Sequence, residues 1–167
     1  KKTQGLTFDL VVDKTRCTTN KQRFVSGNQQ ILRVDSESKE YICNKIEDNI
    51  FELFLKKLKY VNVVIISDYK KGMLTKSLLK KIIRTCRAKK KTVIIDPKDK
   101  DFSIYANAHI ITPNQKELFE AIEPDLNASD NSVEKLSKKI IKLHGWDTVI
   151  TTRSSDGITL VDKSLKT

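Results

Sequence analysis

The chain has 167 residues, 38% of them hydrophobic, enough to bury one real core and too many for a disordered segment. Its three cysteines form no CxxC pair and are too sparse for a disulfide scaffold, and no apolar run approaches the roughly 20 residues needed to cross a bilayer. A net charge of +11 invites a nucleic-acid partner, but 26 of the 32 basic residues are lysines, whereas base readout and stacking favour arginine and aromatics.

Phe8 to Val12, Lys21 to Ser26 and Gln29 to Asp35 are β-like, and Gly27-Asn28 between the last two reads as a hairpin turn. These segments predict an antiparallel β flap over residues 1–44. From Lys45 the period changes, and Ile46, Ile50, Phe51, Phe54, Leu55 and Leu58 mark one face of a helix. The run Val61 to Ile66 follows and stops on Ser67-Asp68-Tyr69. Helical spacing returns at Leu78, Leu79, Ile82, Ile83 and Cys86, with Thr75 as N-cap after a turn at Gly72. Thr92 to Ile95 then stops on Asp96-Pro97-Lys98, and His109 to Ile111 on Thr112-Pro113-Asn114.

Ile122 to Asn131, with Pro124 and two asparagines, is a loop. Val133, Leu136, Ile140, Ile141 and Leu143 form a third helical stripe, before a strand Thr148 to Thr152 and a short strand Ile158 to Val161. Such alternation implies right-handed crossovers and a parallel sheet flanked by helices over residues 45–167. The fold class is therefore α/β, with an N-terminal β flap. No closing helix follows the last strand, and the chain reads as cut inside a larger fold, incomplete at both ends.

If the apolar runs are neighbouring strands, their polar endings gather along one sheet edge, where open α/β folds bind ligands. Asn114 can cap a helix whose free amides favour an anion and its hydrated cation, although Asn114 with Glu117, taken alone, reads more readily as a plain capping box. Lys98 can serve as a point charge for a phosphate, or join an ordinary surface ion pair. Ser67-Asp68-Tyr69-Lys70-Lys71-Gly72 offers polar groups after an apolar strand. Thr152-Arg153-Ser154-Ser155-Asp156-Gly157 offers hydroxyls and amides without a lysine or Walker spacing. In the hairpin, Lys21, Arg23, Asn28, Gln29, Gln30 and Arg33 supply donors that suit a phosphorylated polyol, or simply form the solvated face of a ribbon.

His109 and His144 lack the support a metal site or triad needs, and Trp146 reads as packing. GxSxG, HExxH, GxGxxG and GxxxxGK[ST] are all absent.

Taken in order, these pieces resemble the ribokinase-like (PfkB) carbohydrate kinases, and within them the heptose 7-phosphate kinase branch. The resemblance rests on Thr19 to Arg23, Ser26 to Asp35, Ser67 to Gly72, Asp96 to Phe102, Thr112 to Glu117 and Thr152 to Gly157, and spans nearly the whole chain. It implies ATP-dependent phosphorylation of the anomeric hydroxyl of D-glycero-β-D-manno-heptose 7-phosphate in lipopolysaccharide precursor synthesis. It further implies an ATP and Mg2+ region at Asn114, Gln115, Lys116 and Glu117, with Glu117 reaching the metal through water. Thr152, Arg153, Ser154 and Gly157 would flank the nucleotide phosphates, and Lys21, Arg23, Asn28, Gln29, Asp68 and Lys98 would contact the sugar or its phosphate. The sparse, unpaired cysteines and the lack of a hydrophobic leader point to a reducing, cytoplasmic compartment, the lysine-rich charge and short apolar runs to no nucleic-acid or membrane partner, and a homodimer would form through the flap.

Asp99 stands where this branch usually has glycine. The family's Gly-Ala-Gly-Asp segment, which holds the catalytic base, is absent, because the five glycines make no Gly-x-Gly-Asp. No catalytic residue is therefore assigned, and the isolated chain is expected not to turn over. Another ribokinase-like sugar kinase, or a non-catalytic remnant, remains open on the sequence.

Overall fold

The computed structural model describes residues 5, 7–122 and 132–164. A two-stranded ribbon, β1 (Asn20–Ser26) and β2 (Gln29–Ser36), comes first. The α/β layer then runs α1 (Asn44–Leu58), β3 (Val63–Ser67), α2 (Lys76–Ala88) and β4 (Thr92–Asp96). After a 3-10 turn (Phe102–Tyr105) come β5 (Ile110–Ile111), α3 (Gln115–Ala121), α4 (Val133–His144), β6 (Thr148–Thr152) and β7 (Ile158–Asp162). Of the loop expected over Ile122 to Asn131, all but Ile122 lies outside the described residues.

Five strands stand side by side in chain order, β3-β4-β5-β6-β7. The first four are parallel, and β7 returns antiparallel to β6. Parallel strands end on the same side, so the loops after β3, β4, β5 and β6 share one rim. The mixed α/β architecture with an antiparallel ribbon in front is the one that the hydrophobic periodicity predicts.

Local chemistry accounts for the helices. Thr75 caps α2 by accepting from the Leu78 amide at 3.0 Å, and its hydroxyl meets the buried Glu47 carboxylate of α1 at 2.5 Å. Lys81 pairs with the same carboxylate at 3.0 Å, which locks α1 to α2. Leu78, Leu79, Ile82, Ile83 and Cys86 then form the buried stripe of α2. Gly145 ends α4 in the left-handed conformation, at φ 68°.

The helices cover one face of the sheet. Val93, Ile95, Ile111, Val149 and Val161 are buried against them, whereas Val63, Ile65, Ile158 and Leu160 on the other face are exposed. Trp146 is buried, packs edge-on against Phe102, and donates its indole N–H to the Tyr105 carbonyl at 2.9 Å. It is a packing residue, as its sequence context implies.

One expectation needs correcting. Phe8 to Val12 forms no strand; Phe8, Leu10 and Val12 are exposed, and no strand pairs with the segment among the described residues. Alternating apolar residues favour a strand only when a neighbour takes up the backbone groups.

One corner anchors the ribbon to the layer. Arg16 donates to the carbonyls of Ser38 and Lys71, Lys71 pairs with Glu37, and the Ile42 amide donates to the Gly72 carbonyl at 3.0 Å. Gly72 has φ 77°, and a Cβ there would sit 2.0 Å from the Glu40 carbonyl oxygen. Only glycine permits that approach.

Candidate active site

The rim loops continue the sheet's hydrogen bonding beyond the strands. The Asp68 amide donates to the Asp96 carbonyl at 3.0 Å, Thr112 to Ile95 at 2.9 Å, and Thr152 to Pro113 at 3.1 Å. Asn114 and Thr152 form a parallel bridge. Four loops distant in sequence are thereby held in register along one edge.

The side chains link up along that edge. Asp68 is buried, with one carboxylate oxygen accepting from the Lys70 amide at 2.7 Å and the other from the Tyr105 hydroxyl at 2.5 Å. The Tyr105 hydroxyl accepts in turn from the amides of Lys98 and Asp99, at 3.3 and 3.1 Å. Burial, reinforced by the Asp68 carboxylate, pushes the Tyr105 phenol well above its ordinary range, so it stays a neutral donor. Lys98 Nζ then reaches Glu117 Oε1 at 2.7 Å, and that hydrogen bond and charge raise the lysine's pKa. Glu117 Oε2 accepts from the Asn114 amide at 3.0 Å while Asn114 Oδ1 accepts from the Glu117 amide at 2.8 Å, a complete capping box for α3.

Asp68, Lys98, Asn114, Glu117 and Thr152 therefore come together. Gln115 and Lys116 lie in the first turn of α3, where Lys116 is exposed and loosely paired with Glu120. Arg153 sits just past Thr152 with its main chain closed by Gly157, its Nη1 on the Thr159 hydroxyl at 3.4 Å and its Nε buried without a partner. Ser154 and Gly157 shape this turn with φ values of 52° and 83°.

The flap residues do not join the row. Lys21 pairs with Asp35 inside the ribbon, and Arg23 stands opposite Arg33 across the ladder. Asn28 and Gln29 occupy the exposed tip, and no hydrogen bond or ion pair among the described residues connects any of these four to the rim. Between the flap's base and the rim opens a cleft of about 780 Å³, lined by Tyr41, Glu47, Asp68, Lys70, Asp99 and Asp101 among others.

Tyr105 escaped the sequence reading. Its apolar neighbours Phe102 and Ile104 suggest only packing, and nothing in the spacing shows that its hydroxyl meets Asp68, 37 residues away. Asp68, read as a substrate contact, has both oxygens engaged by the protein itself.

Among the described residues no three His, Cys, Asp or Glu side chains gather to hold a metal directly. Both Glu117 oxygens accept within the protein, from Lys98 Nζ and from the Asn114 amide, so a magnesium ion beside this carboxylate would be met through the ion's own water and not directly.

Comparison with known proteins agrees with this architecture. The chain is 40% identical over 152 residues to the bifunctional protein HldE of Paramagnetospirillum magneticum, covering 91% of this chain and 31% of that protein. It is 36% identical over 163 residues to the HldE protein of Helicobacter pylori, covering 97% and 35% respectively. The chain thus spans about a third of the length of these relatives. Phosphofructokinase-2 from Escherichia coli, solved with potassium, superposes on 74% of this chain and 40% of its own with a TM-score of 0.62 at 20% identity, a likeness of fold. The family model for pfkB family carbohydrate kinases matches residues 2–166, and with the rim just described that places the chain within the PfkB family of carbohydrate kinases.

Proposed function

We propose that this chain forms the nucleotide- and phosphosugar-binding rim of a kinase that phosphorylates D-glycero-β-D-manno-heptose 7-phosphate at its anomeric hydroxyl. The observation that carries this reading is the continuous row from Asp68 through Tyr105, Lys98 and Glu117 to Asn114 and Thr152, all on one sheet edge. The choice of heptose rests on the Asn28-Gln29-Gln30 hairpin and the Asp96-Pro97-Lys98 loop, and on the identity with HldE proteins.

In this reading Asn114, Gln115, Lys116 and Glu117 border the ATP, and Thr152, Arg153, Ser154 and Gly157 flank its phosphates. The anomeric oxygen attacks the γ-phosphorus, the bond from that phosphorus to the bridging oxygen breaks, and ADP leaves. Lys98 offsets charge on the phosphosugar. Glu117 would hold Mg2+ through water, and the ion would supply positive charge to offset the charge that shifts during transfer. Lys21, Arg23, Asn28 and Gln29 would meet the sugar when the ribbon folds over the cleft.

The hydroxyl proton needs a base, and the 167 residues hold no Gly-x-Gly-Asp. The isolated chain accordingly binds its ligands without turning over. Calorimetry with ATP and Mg2+, with heptose 7-phosphate and with fructose 6-phosphate, run beside an ADP-release assay, tests each part. Binding of the heptose phosphate in preference to the fructose phosphate, without ADP release, is expected. Preference for fructose 6-phosphate would point to another sugar kinase, silence with every ligand to a remnant, and steady ADP release would refute the missing-base argument.

A further inference from the structure

We infer that Tyr105 is a positioning residue for phosphosugar binding, its hydroxyl setting the Lys98 loop against the Asp68 corner; this rests on the reading of Lys98 given above. A phenol has one proton to donate and two lone pairs. All three are in use, toward the Asp68 carboxylate at 2.5 Å and from the Lys98 and Asp99 amides at 3.3 and 3.1 Å. The ring itself is wholly buried, set edge-on to Phe102, and its carbonyl is held by the Trp146 indole at 2.9 Å.

Packing alone would be served equally well by phenylalanine. What the hydroxyl adds is a buried tie between loops that follow different strands. At the strand ends the Asp68 amide already donates to the Asp96 carbonyl at 3.0 Å; farther out, where Lys98 and Asp99 lie, the loops are also joined by Lys70 to Asp99 and Lys76 to Asp101, both at 3.2 Å, ion pairs in which each lysine is more than half exposed. Such pairs are weak and screened. With its amide fixed by Tyr105, Lys98 extends along the rim to Glu117 at 2.7 Å, beside the Asn114 cap. Without the hydroxyl, the amides of Lys98 and Asp99 turn to water and the lysine is no longer presented from one place.

The test uses the 167-residue chain, Tyr105→Phe, Lys98→Ala and the double variant, with heptose 7-phosphate and ATP as probes. Tyr105→Phe should keep its far-UV spectrum and a cooperative melt, while hydrogen exchange at the Lys98 and Asp99 amides speeds up. Its affinity for the heptose phosphate should fall about tenfold, the worth of a hydrogen bond to a charged group, with ATP affinity unchanged. In the Lys98→Ala background the same substitution should cost nothing further. Additive losses, or unaltered exchange at those amides, would overturn the inference. If Lys98→Ala leaves phosphosugar binding intact, or the chain does not bind it, the function proposed above fails instead. Amide exchange then decides for or against the positioning role by itself. Should Tyr105→Phe not fold, Asp68→Asn keeps the ring and weakens the hydroxyl's partner, and it must loosen the same amides.

Discussion

Lys98 shows how one side chain carries two meanings. As a surface ion pair it is unremarkable, since lysine–carboxylate pairs on protein surfaces contribute about 0–1 kcal/mol. Its partner is Glu117, however, whose other oxygen closes the α3 capping box, so the pair ties the β4 loop to the β5 loop. His109 has a single reading. Its Nδ1 accepts from the Val93 amide at 3.0 Å, which requires a neutral ring. Burial first, and the Arg87 charge second, hold its pKa below the ordinary 6.5, and burial does the same to His144. A folded-state pKa below the unfolded one means that the unfolded chain takes up protons first. Stability is therefore full above about pH 6.5 and is lost as the pH falls through and below that value. Asp101, lowered by its bond from Ser103, and Asp35, lowered by its bond from Lys21, add a second loss beneath pH 4. Urea unfolding from pH 8 to pH 3 should show both steps, and His109→Gln should shrink only the first.

At the scale of elements, the ribbon and its anchor invite separate tests. The ladder pairs Gln22 with Val34 and Phe24 with Leu32, so Phe24, Leu32 and Val34 share one face, while Lys21, Arg23, Arg33 and Asp35 share the other. All three apolar side chains are exposed, Phe24 by 52%. A two-stranded ribbon is marginal in water without a partner for its apolar face. A second copy of the chain is the partner we propose, leaving the charged face for the cleft. Sedimentation should find a dimer, and Phe24→Ser with Leu32→Ser should give monomers that retain helical circular dichroism. A monomeric parent chain would exclude this arrangement. At the anchor, Gly72→Ala must both adopt φ 77° and displace the Glu40 carbonyl. A loss of about 2–4 kcal/mol in denaturant unfolding is expected from strain and overpacking together. A loss below about 0.5 kcal/mol, the range of a neutral surface change, would mean that this corner is looser than described.

For the whole molecule, a charge of +11 is the property most easily misread. Lys21, Lys81 and Lys98 are paired with Asp35, Glu47 and Glu117, and the excess left on other residues is expected to attract small anions and not to read nucleic acid, because so few of the basic residues are arginines. A labelled DNA duplex should not shift with the chain at physiological salt; tight binding that weakens steeply with salt would reverse that view. By itself the sequence determined the order of strands and helices, the Gly27-Asn28 hairpin, the Thr75 and Asn114 caps and the family, because each is written in short-range periodicity or a compact motif. Only the tertiary structure decided that Phe8 to Val12 lacks a strand partner, that one sheet face stays exposed, and that Tyr105 joins Asp68 to the Lys98 loop. Those outcomes depend on which distant groups meet in space, and residue spacing along a chain carries no record of such meetings.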